Sequence, residues 1–391
     1  MASHKIYYSG SPIGSLGRLS KTLDVSEAQL LKIAHNPSAF YVEFEKTVRN
    51  KTRSLADPVP LLKTIQKRII TRIFCNIVFP PYLHGGIKSS SPRDFVSNAK
   101  AHANAETAIA LDIKNFFPSI SSAQIEHIFI YLFKFPLEVS KVLTNLTTLN
   151  QALPQGAPTS SYLSNLVLFE KEFHLVAKLE GLSLTYTRLI DDITVSSKTP
   201  LSKQQQGKIV NQVIGMLHSY GYHIHPTKKS FYSRSNPKNL MQITGLWLNR
   251  GSPRISRSKR QEIAYEVNEL KKLADTKNGK STNEYHEQYA SVSGKVALLR
   301  RLKHKEAVRL RNILDRISPI YSEDQIAKIK KLIFAFASKS QDRRKLGYIQ
   351  KFYKFQHAAS IVARTDLSLA KLLQKTLNTI RPLEIARNIN G

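Results

Sequence analysis

TAIALDIKNFFPSI (107–120) and SLTYTRLIDDITVSSK (183–198) decide how this chain is read. In the first, an apolar run from Thr107 to Leu111 delivers Asp112 and is followed at once by two phenylalanines and a proline, the pattern of a strand ending on a site. In the second, alternation predicts a β-hairpin with Asp191 and Asp192 at its tip. Carboxylates at the ends of apolar strands need a compensating partner, because burying an unpaired charge is costly. Divalent cations are one such partner, and two of them bridging carboxylates to phosphates suit phosphoryl transfer. The alternative is that Asp112 caps a helix and the Asp191–Asp192 pair serves a turn.

Composition narrows the partner. The 391 residues hold 59 Lys and Arg against 28 Asp and Glu, a formal charge of +31, and that excess calls for an anionic partner. With 41% hydrophobic and only 22% charged residues the chain is not a disordered basic tail, and its length suits two or three packed lobes. Cys75 stands alone, which excludes an intramolecular disulfide and a multi-thiolate zinc site and points to a reducing cytoplasm. MASHKIYYSGSPIG lacks the apolar core of a signal peptide, and the most apolar stretch is interrupted by Arg72, Asn76 and two prolines, so no membrane span is expected. Nucleic acid is the preferred partner.

Apolar spacing predicts helix over residues 20–75, with Pro60 in a first turn, and again over 122–150. A long amphipathic helix follows the turn at 153–158, capped by Thr159 or Ser160 and ended by Gly181. Residues 205–222 read as helix and 221–249 as strands with polar breaks. From about 257 onward the chain is helical and basic, with a linker at 277–283.

LDIKNFFPSI (111–120), LPQGAPTSSYLSNLVL (153–168) and YTRLIDDITVSS (186–197), in this order, resemble the palm motifs of reverse transcriptases of the bacterial retron and group II intron branch. NAKAH (98–102) and ITG (243–245) resemble short elements associated with retrons. The resemblance runs from about residue 25 to about 318. It implies an α+β right-hand polymerase: N-terminal helices and fingers over 1–105, a palm of antiparallel sheet plus helices over 106–250 with finger elements around 122–160, and a helical thumb over 251–318. An extra basic helical region would occupy 319–391.

By that resemblance Asp112, Asp191 and Asp192, joined by the carbonyl of Ile113, would hold two magnesium ions, with manganese as a substitute. Lys228 would donate a proton to departing pyrophosphate. Phe116 would be the ring that excludes a ribose 2′-hydroxyl, with Phe117 in the core; Gln155 and Gly156 would lie beside the nucleotide. Lys88 and Arg93, and secondarily Arg53, would grip the triphosphate. Asn98, His102, Thr244 and Gly245 would recognise RNA or serve structure, and Arg300, Arg301, Lys303 and Lys305 would contact duplex phosphates. Tyr348, Phe352 and Phe355 are read as core rather than as stacking platforms, and so is Tyr353.

The implied activity is RNA-directed DNA synthesis from deoxynucleotides on a structured noncoding RNA, giving a DNA product. The resemblance further implies priming from an RNA 2′-hydroxyl and a role in phage defence beside a separate effector protein. Self-association is a further expectation. Two departures bear on this: Leu189 stands where the family has an aromatic residue, and His225 where asparagine is common. Leu189 and the long C-terminal region favour a rival, a defence-associated reverse transcriptase with another RNA or protein priming. A group II intron-like maturase is the third reading.

Overall fold

The computed structural model describes residues 4–48, 51–236, 239–339 and 341–383. A short strand β1 (Tyr7–Tyr8) precedes helices α1 (Leu16–Leu23) and α2 (Glu27–His35), each opened by a serine hydroxyl that accepts an amide of the first turn. Next come β2 (Tyr41–Val48) and β3 (Lys51–Pro58), an antiparallel hairpin registered from Tyr41↔Pro58 to Val48↔Lys51. The helical expectation for 20–75 therefore fails between 41 and 58. Tyr41, Val42, Phe44, Thr47, Val48 and Thr52 favour extended backbone there, and each strand supplies the other's backbone partner. Helix returns with α3 (Pro60–Arg72), whose proline occupies the first turn as expected.

After β4 (Ile77–Val78), which pairs with β1, the chain lays down β5 (Leu83–His84), α4 (Phe95–Ala101) and β6 (Thr107–Asp112). Helices α5 (Phe116–Ser119), α6 (Ser122–His127) and α7 (Leu137–Thr147) follow, with a π-helical turn over Ile128–Leu132. The long helix expected after 159 is two helices, α8 (Ser160–Leu166) and α9 (Glu172–Gly181). Neither expected cap forms: Thr159 makes no cap hydrogen bond, and the Ser160 hydroxyl donates back to Pro154 O at 2.6 Å.

The predicted hairpin is β7 (Leu184–Leu189) and β8 (Asp192–Ser197), followed by α10 (Lys203–His218), β9 (Ser230–Ser233), β10 (Gln242–Ile243) and β11 (Leu246–Trp247). Five strands form one sheet in the order β5-β7-β8-β6-β9, antiparallel except for the β5–β7 edge. Strand alternation gives the sheet two faces. Ile109, Leu111, Ile193, Val195 and Tyr186 join the core that includes α9 and α10 residues such as Val176, Leu179, Val213 and Leu217. Ala110, Asp112, Asp192 and Thr194 point the other way and line an open cleft.

Contacts divide the chain into two compact units, one carrying the chain up to Pro253 and one running from Arg254. The second contains α11 (Arg257–Ala274), α12 (Asn283–Arg301), α13 (Glu306–Arg316), α14 (Glu323–Ser338), α15 (Leu346–Val362) and α16 (Leu367–Thr379). Tyr348, Phe352 and Phe355 are buried within it, as core packing requires. Among the described residues no helix is long and apolar enough to cross a membrane.

Candidate active site

Asp112, the last residue of β6, lies directly opposite Asp192, the first residue of β8. Asp191 completes the two-residue loop between β7 and β8, and its carbonyl accepts the Ile113 amide at 3.0 Å. A second stitch runs alongside: His225 N–H donates to Asp112 O at 2.7 Å and Lys114 N–H to His223 O at 2.9 Å. This registers residues 223–225 beside the end of β6 and brings Lys228 over the carboxylates. Its Nζ lies 2.6 Å from both oxygens of Asp112.

Burial pushes the Asp192 carboxyl up to about 7, reinforced by the negative charges of Asp191 and Asp112 and opposed by Lys228. Asp191 is raised too, first by burial and then by Asp112, against its backbone hydrogen bond and the cations Lys228 and Arg53. Among the described residues no three His, Cys, Asp or Glu side chains form a ready metal cage, and the Lys228 ammonium sits on Asp112. The donor set nevertheless suits a hard divalent cation: oxygen ligands only, with Asp191 and Asp192 both raised by burial and by neighbouring negative charge that a dication would offset.

The cleft beside these acids is lined further by Ser230, Tyr232, Gln242, Thr244 and Gly245. Thr244 and Gly245 form the turn between β10 and β11, both at positive φ (46° and 82°), the geometry of a tight hairpin turn. The Thr244 hydroxyl is committed to Phe95 O at 2.9 Å, so it anchors the turn, while Gly245 is exposed.

The family described as "Reverse transcriptase (RNA-dependent DNA polymerase)" matches residues 44–266. The Retron Se72 reverse transcriptase of Salmonella heidelberg (strain 579083-10) is 37% identical over 381 residues, 97% of this chain and 99% of the relative. The chain belongs to the retron reverse transcriptases. The Retron Ec48 reverse transcriptase of Escherichia coli is 30% identical, with 96% of this chain and 94% of that relative covered. The Retron Ec86 reverse transcriptase, also of Escherichia coli, is 24% identical, with 82% and 95% covered. This chain is accordingly an RNA-directed DNA polymerase of a retron.

Within the retron enzyme the expected site residues separate. Asp112, Asp191, Asp192 and Lys228 converge, with Ile113 bonded to the Asp191 carbonyl. Phe116, expected at the nucleotide, is 3% exposed and its ring meets Tyr222 edge-on at 5.5 Å, while Phe117, expected in the core, packs against it but stays half-buried. Successive positions at the start of α5 point about 100° apart, and the core takes the first. Gly156 has φ +118°, and a Cβ there would lie 3.1 Å from Ala56 O. Gln155 O accepts the Ala56 amide at 2.9 Å, so the 153–158 turn carries the β2–β3 hairpin.

Of the basic residues expected at the triphosphate, Arg93 is spent on the loop itself, donating to Pro80 O at 2.7 Å and Leu83 O at 3.1 Å. Lys88 is exposed, and its backbone amide donates to the Tyr162 hydroxyl at 3.0 Å. Arg53, on β3, is the cation of this group whose charge reaches Asp191. Residues 51–57 carry no clear apolar alternation, so sequence reasoning lent Arg53 only secondary weight.

Asn98 and His102 are buried and cannot touch RNA in this fold. His102 Nδ1 meets Ser196 Oγ and Nε2 meets Thr187 Oγ1, each at 2.7 Å, and the Thr187 hydroxyl donates to Asn98 Oδ1. They fasten α4 across the far end of the cleft face, a structural role. Arg300, Arg301, Lys303 and Lys305 are exposed at the end of α12 and in the following turn.

Proposed function

We propose that the enzyme copies part of a structured noncoding RNA into DNA by nucleotidyl transfer at Asp112, Asp191 and Asp192, with these carboxylates and the Ile113 carbonyl holding two magnesium ions. Magnesium, or manganese in its place, would supply charge to the attacking and leaving oxygens. Lys228 leaves Asp112 and turns its ammonium toward the departing pyrophosphate, as a proton donor. Arg53 reaches the triphosphate from the hairpin, with Lys88 as a second cation, and Phe117 excludes a ribose 2′-hydroxyl. Gln155 and Gly156 seat the nucleotide by holding that hairpin in place.

In this reading the central sheet with α9 and α10 is the palm, the N-terminal helices and the β2–β3 hairpin are fingers, and α11 to α13 are the thumb that meets duplex phosphates through Arg300, Arg301 and Lys303. The helices after 318 extend it. Priming from an RNA 2′-hydroxyl, a cytoplasmic location and a defence role beside an effector protein complete the proposal. Full-length similarity to retron enzymes supports it over the rival defence enzyme and the maturase.

The observation that carries the reading is the in-register pairing of Asp112 with Asp192, with Asp191 in the adjoining loop. The test is deoxynucleotide incorporation on a primed RNA, together with sequencing of the nucleic acid bound to the purified enzyme. Asp191→Asn with Asp192→Asn should abolish incorporation and leave RNA bound; unchanged incorporation would overturn the assignment. A short DNA joined to RNA through a 2′ branch is the expected product, and protein-linked DNA would refute the priming mode.

A further inference from the structure

Arg188 sits opposite Leu83 of β5 and Ile193 of β8, so its side chain leaves the sheet on the helix-covered face, away from Asp112 and Asp192. It pairs with Glu172 of α9, both side chains 0% exposed. Nε donates to Oε1 at 2.6 Å and Nη2 to Oε2 at 2.8 Å, and the Tyr186 hydroxyl adds a bond to Oε1 at 2.8 Å. The remaining donors reach main chain. Nη1 bonds Ser164 O at 3.3 Å and Nη2 bonds Asn165 O at 3.0 Å, carbonyls in the last turn of α8. Nη1 also bonds Ile190 O at 3.1 Å.

Stability does not account for this arrangement. Desolvating two ions costs several kcal/mol each, and apolar residues of the same volume commonly do as well. Its geometry is informative instead. Ile190, the residue before Asp191, has φ +59°, a left-handed conformation that a β-branched residue adopts only under constraint. From one side the loop is pressed by Gly85, where a Cβ would lie 2.9 Å from Leu189 Cδ1 and 3.0 Å from Ile190 Cγ1. Helix α8 fixes that segment, since Asn165 Nδ2 donates to Gly85 O at 2.9 Å and Ser161 Oγ to Gly86 O at 3.0 Å. From below, the planar guanidinium ties the same helix, α9 and the Ile190 carbonyl together.

We propose that Arg188, locked by Glu172, is a positioning residue that holds the Ile190 turn and thereby aims Asp191 and Asp192. This rests on the reading of those aspartates as the metal-binding, reacting centre.

Arg188→Lys keeps the charge beside Glu172, but one ammonium cannot also span to Ile190 and both α8 carbonyls. Turnover per active molecule, counted by a burst of incorporation, should fall about 10- to 100-fold, the scale of a misplacement near one ångström. The deoxynucleotide KM should change less than about threefold, since the lost contact acts on the reacting groups rather than on binding. Manganese binding to the enzyme–RNA complex, read by electron paramagnetic resonance, should weaken. Glycine adopts the left-handed backbone freely, so adding Ile190→Gly to Arg188→Lys should recover most of the lost turnover.

Unchanged turnover per active molecule in Arg188→Lys, or a loss that Ile190→Gly does not recover, overturns the proposal. Should Arg188→Lys not fold, Glu172→Gln is read by the same criteria, because the amide keeps the shape and releases the guanidinium from its lock. Asp191→Asn with Asp192→Asn separates the two ideas: manganese binding unaffected there refutes the metal reading, whatever Arg188 does.

Discussion

Replacing His102 by glutamine should flatten the acid limb of this enzyme's stability curve. The Thr187 hydroxyl donates to Asn98, so it accepts from His102 Nε2–H, and the Ser196 hydroxyl donates to Nδ1. The ring is held neutral in one tautomer. It is 1% exposed, and burial, with a smaller push from His84, lowers its pKa from 6.5 to about 3. Because the folded value lies below the unfolded one, the unfolded chain binds one more proton between these limits. The stability this ring confers is full above pH 6.5 and is lost as the pH falls. At about 1.4 kcal/mol per pH unit, the loss between pH 7.5 and 4.5 is about 2 to 3 kcal/mol. Glutamine does not titrate; it imposes a fixed cost of about 1–3 kcal/mol for imperfect hydrogen bonding. His84, lowered to about 4, titrates in both proteins and cancels in the difference. The assay is urea unfolding of both proteins across this pH range, followed by the fluorescence of Trp247, the sole tryptophan, which lies in the same compact unit as His102. Curves that fall in parallel with pH would refute the buried, neutral assignment, and a large loss of RNA affinity at pH 7.5 would restore a contact role.

Two further outcomes are expected. Phe117→Ala should admit ribonucleotides, measured as the ratio of ribo- to deoxynucleotide incorporation, whereas Phe116→Ala should destabilise the fold by about 3–5 kcal/mol as a core truncation; the reverse pattern would return the gate to Phe116. Gly156→Ala should cost about 1–3 kcal/mol, because alanine is strained at φ +118° and its Cβ presses on Ala56 O. As the β2–β3 hairpin carries Arg53, the deoxynucleotide KM should rise more than turnover falls, and an unchanged KM in steady-state kinetics would refute the coupling.

The acids were legible because strand alternation and turn chemistry are local: a hydrophobic run that ends in a carboxylate reads the same in any context. The β2–β3 hairpin was not, since a ribbon is stabilised by its partner strand and short apolar spacings match helix and strand alike. The long helix after 159 starts at Ser160 and ends at Gly181 as its pattern suggests but breaks between Leu166 and Glu172, and its expected cap is lost because the Ser160 hydroxyl bonds Pro154 O. Asn98 and His102 form a recognisable short element, yet only tertiary burial shows that their polar atoms face Thr187 and Ser196 instead of a ligand. Phe116 and Phe117 are chemically identical neighbours, and the roughly 100° between successive helical positions chose between them.

By itself, then, the sequence determined the chemistry: three carboxylates on apolar strands, a lysine to meet them, a basic surface for nucleic acid, and the polymerase family those motifs mark. Tertiary structure alone decided aim. It set Asp112 against Asp192, gave Arg53 the approach to Asp191, turned Arg93, Asn98 and His102 inward, and placed Arg188 under the loop that carries the aspartates. Residue type and spacing fix what a side chain can do, but the direction it points depends on backbone hydrogen bonds and packing between segments far apart in the chain, as between Thr244 and Phe95, 149 residues apart. No local pattern encodes those.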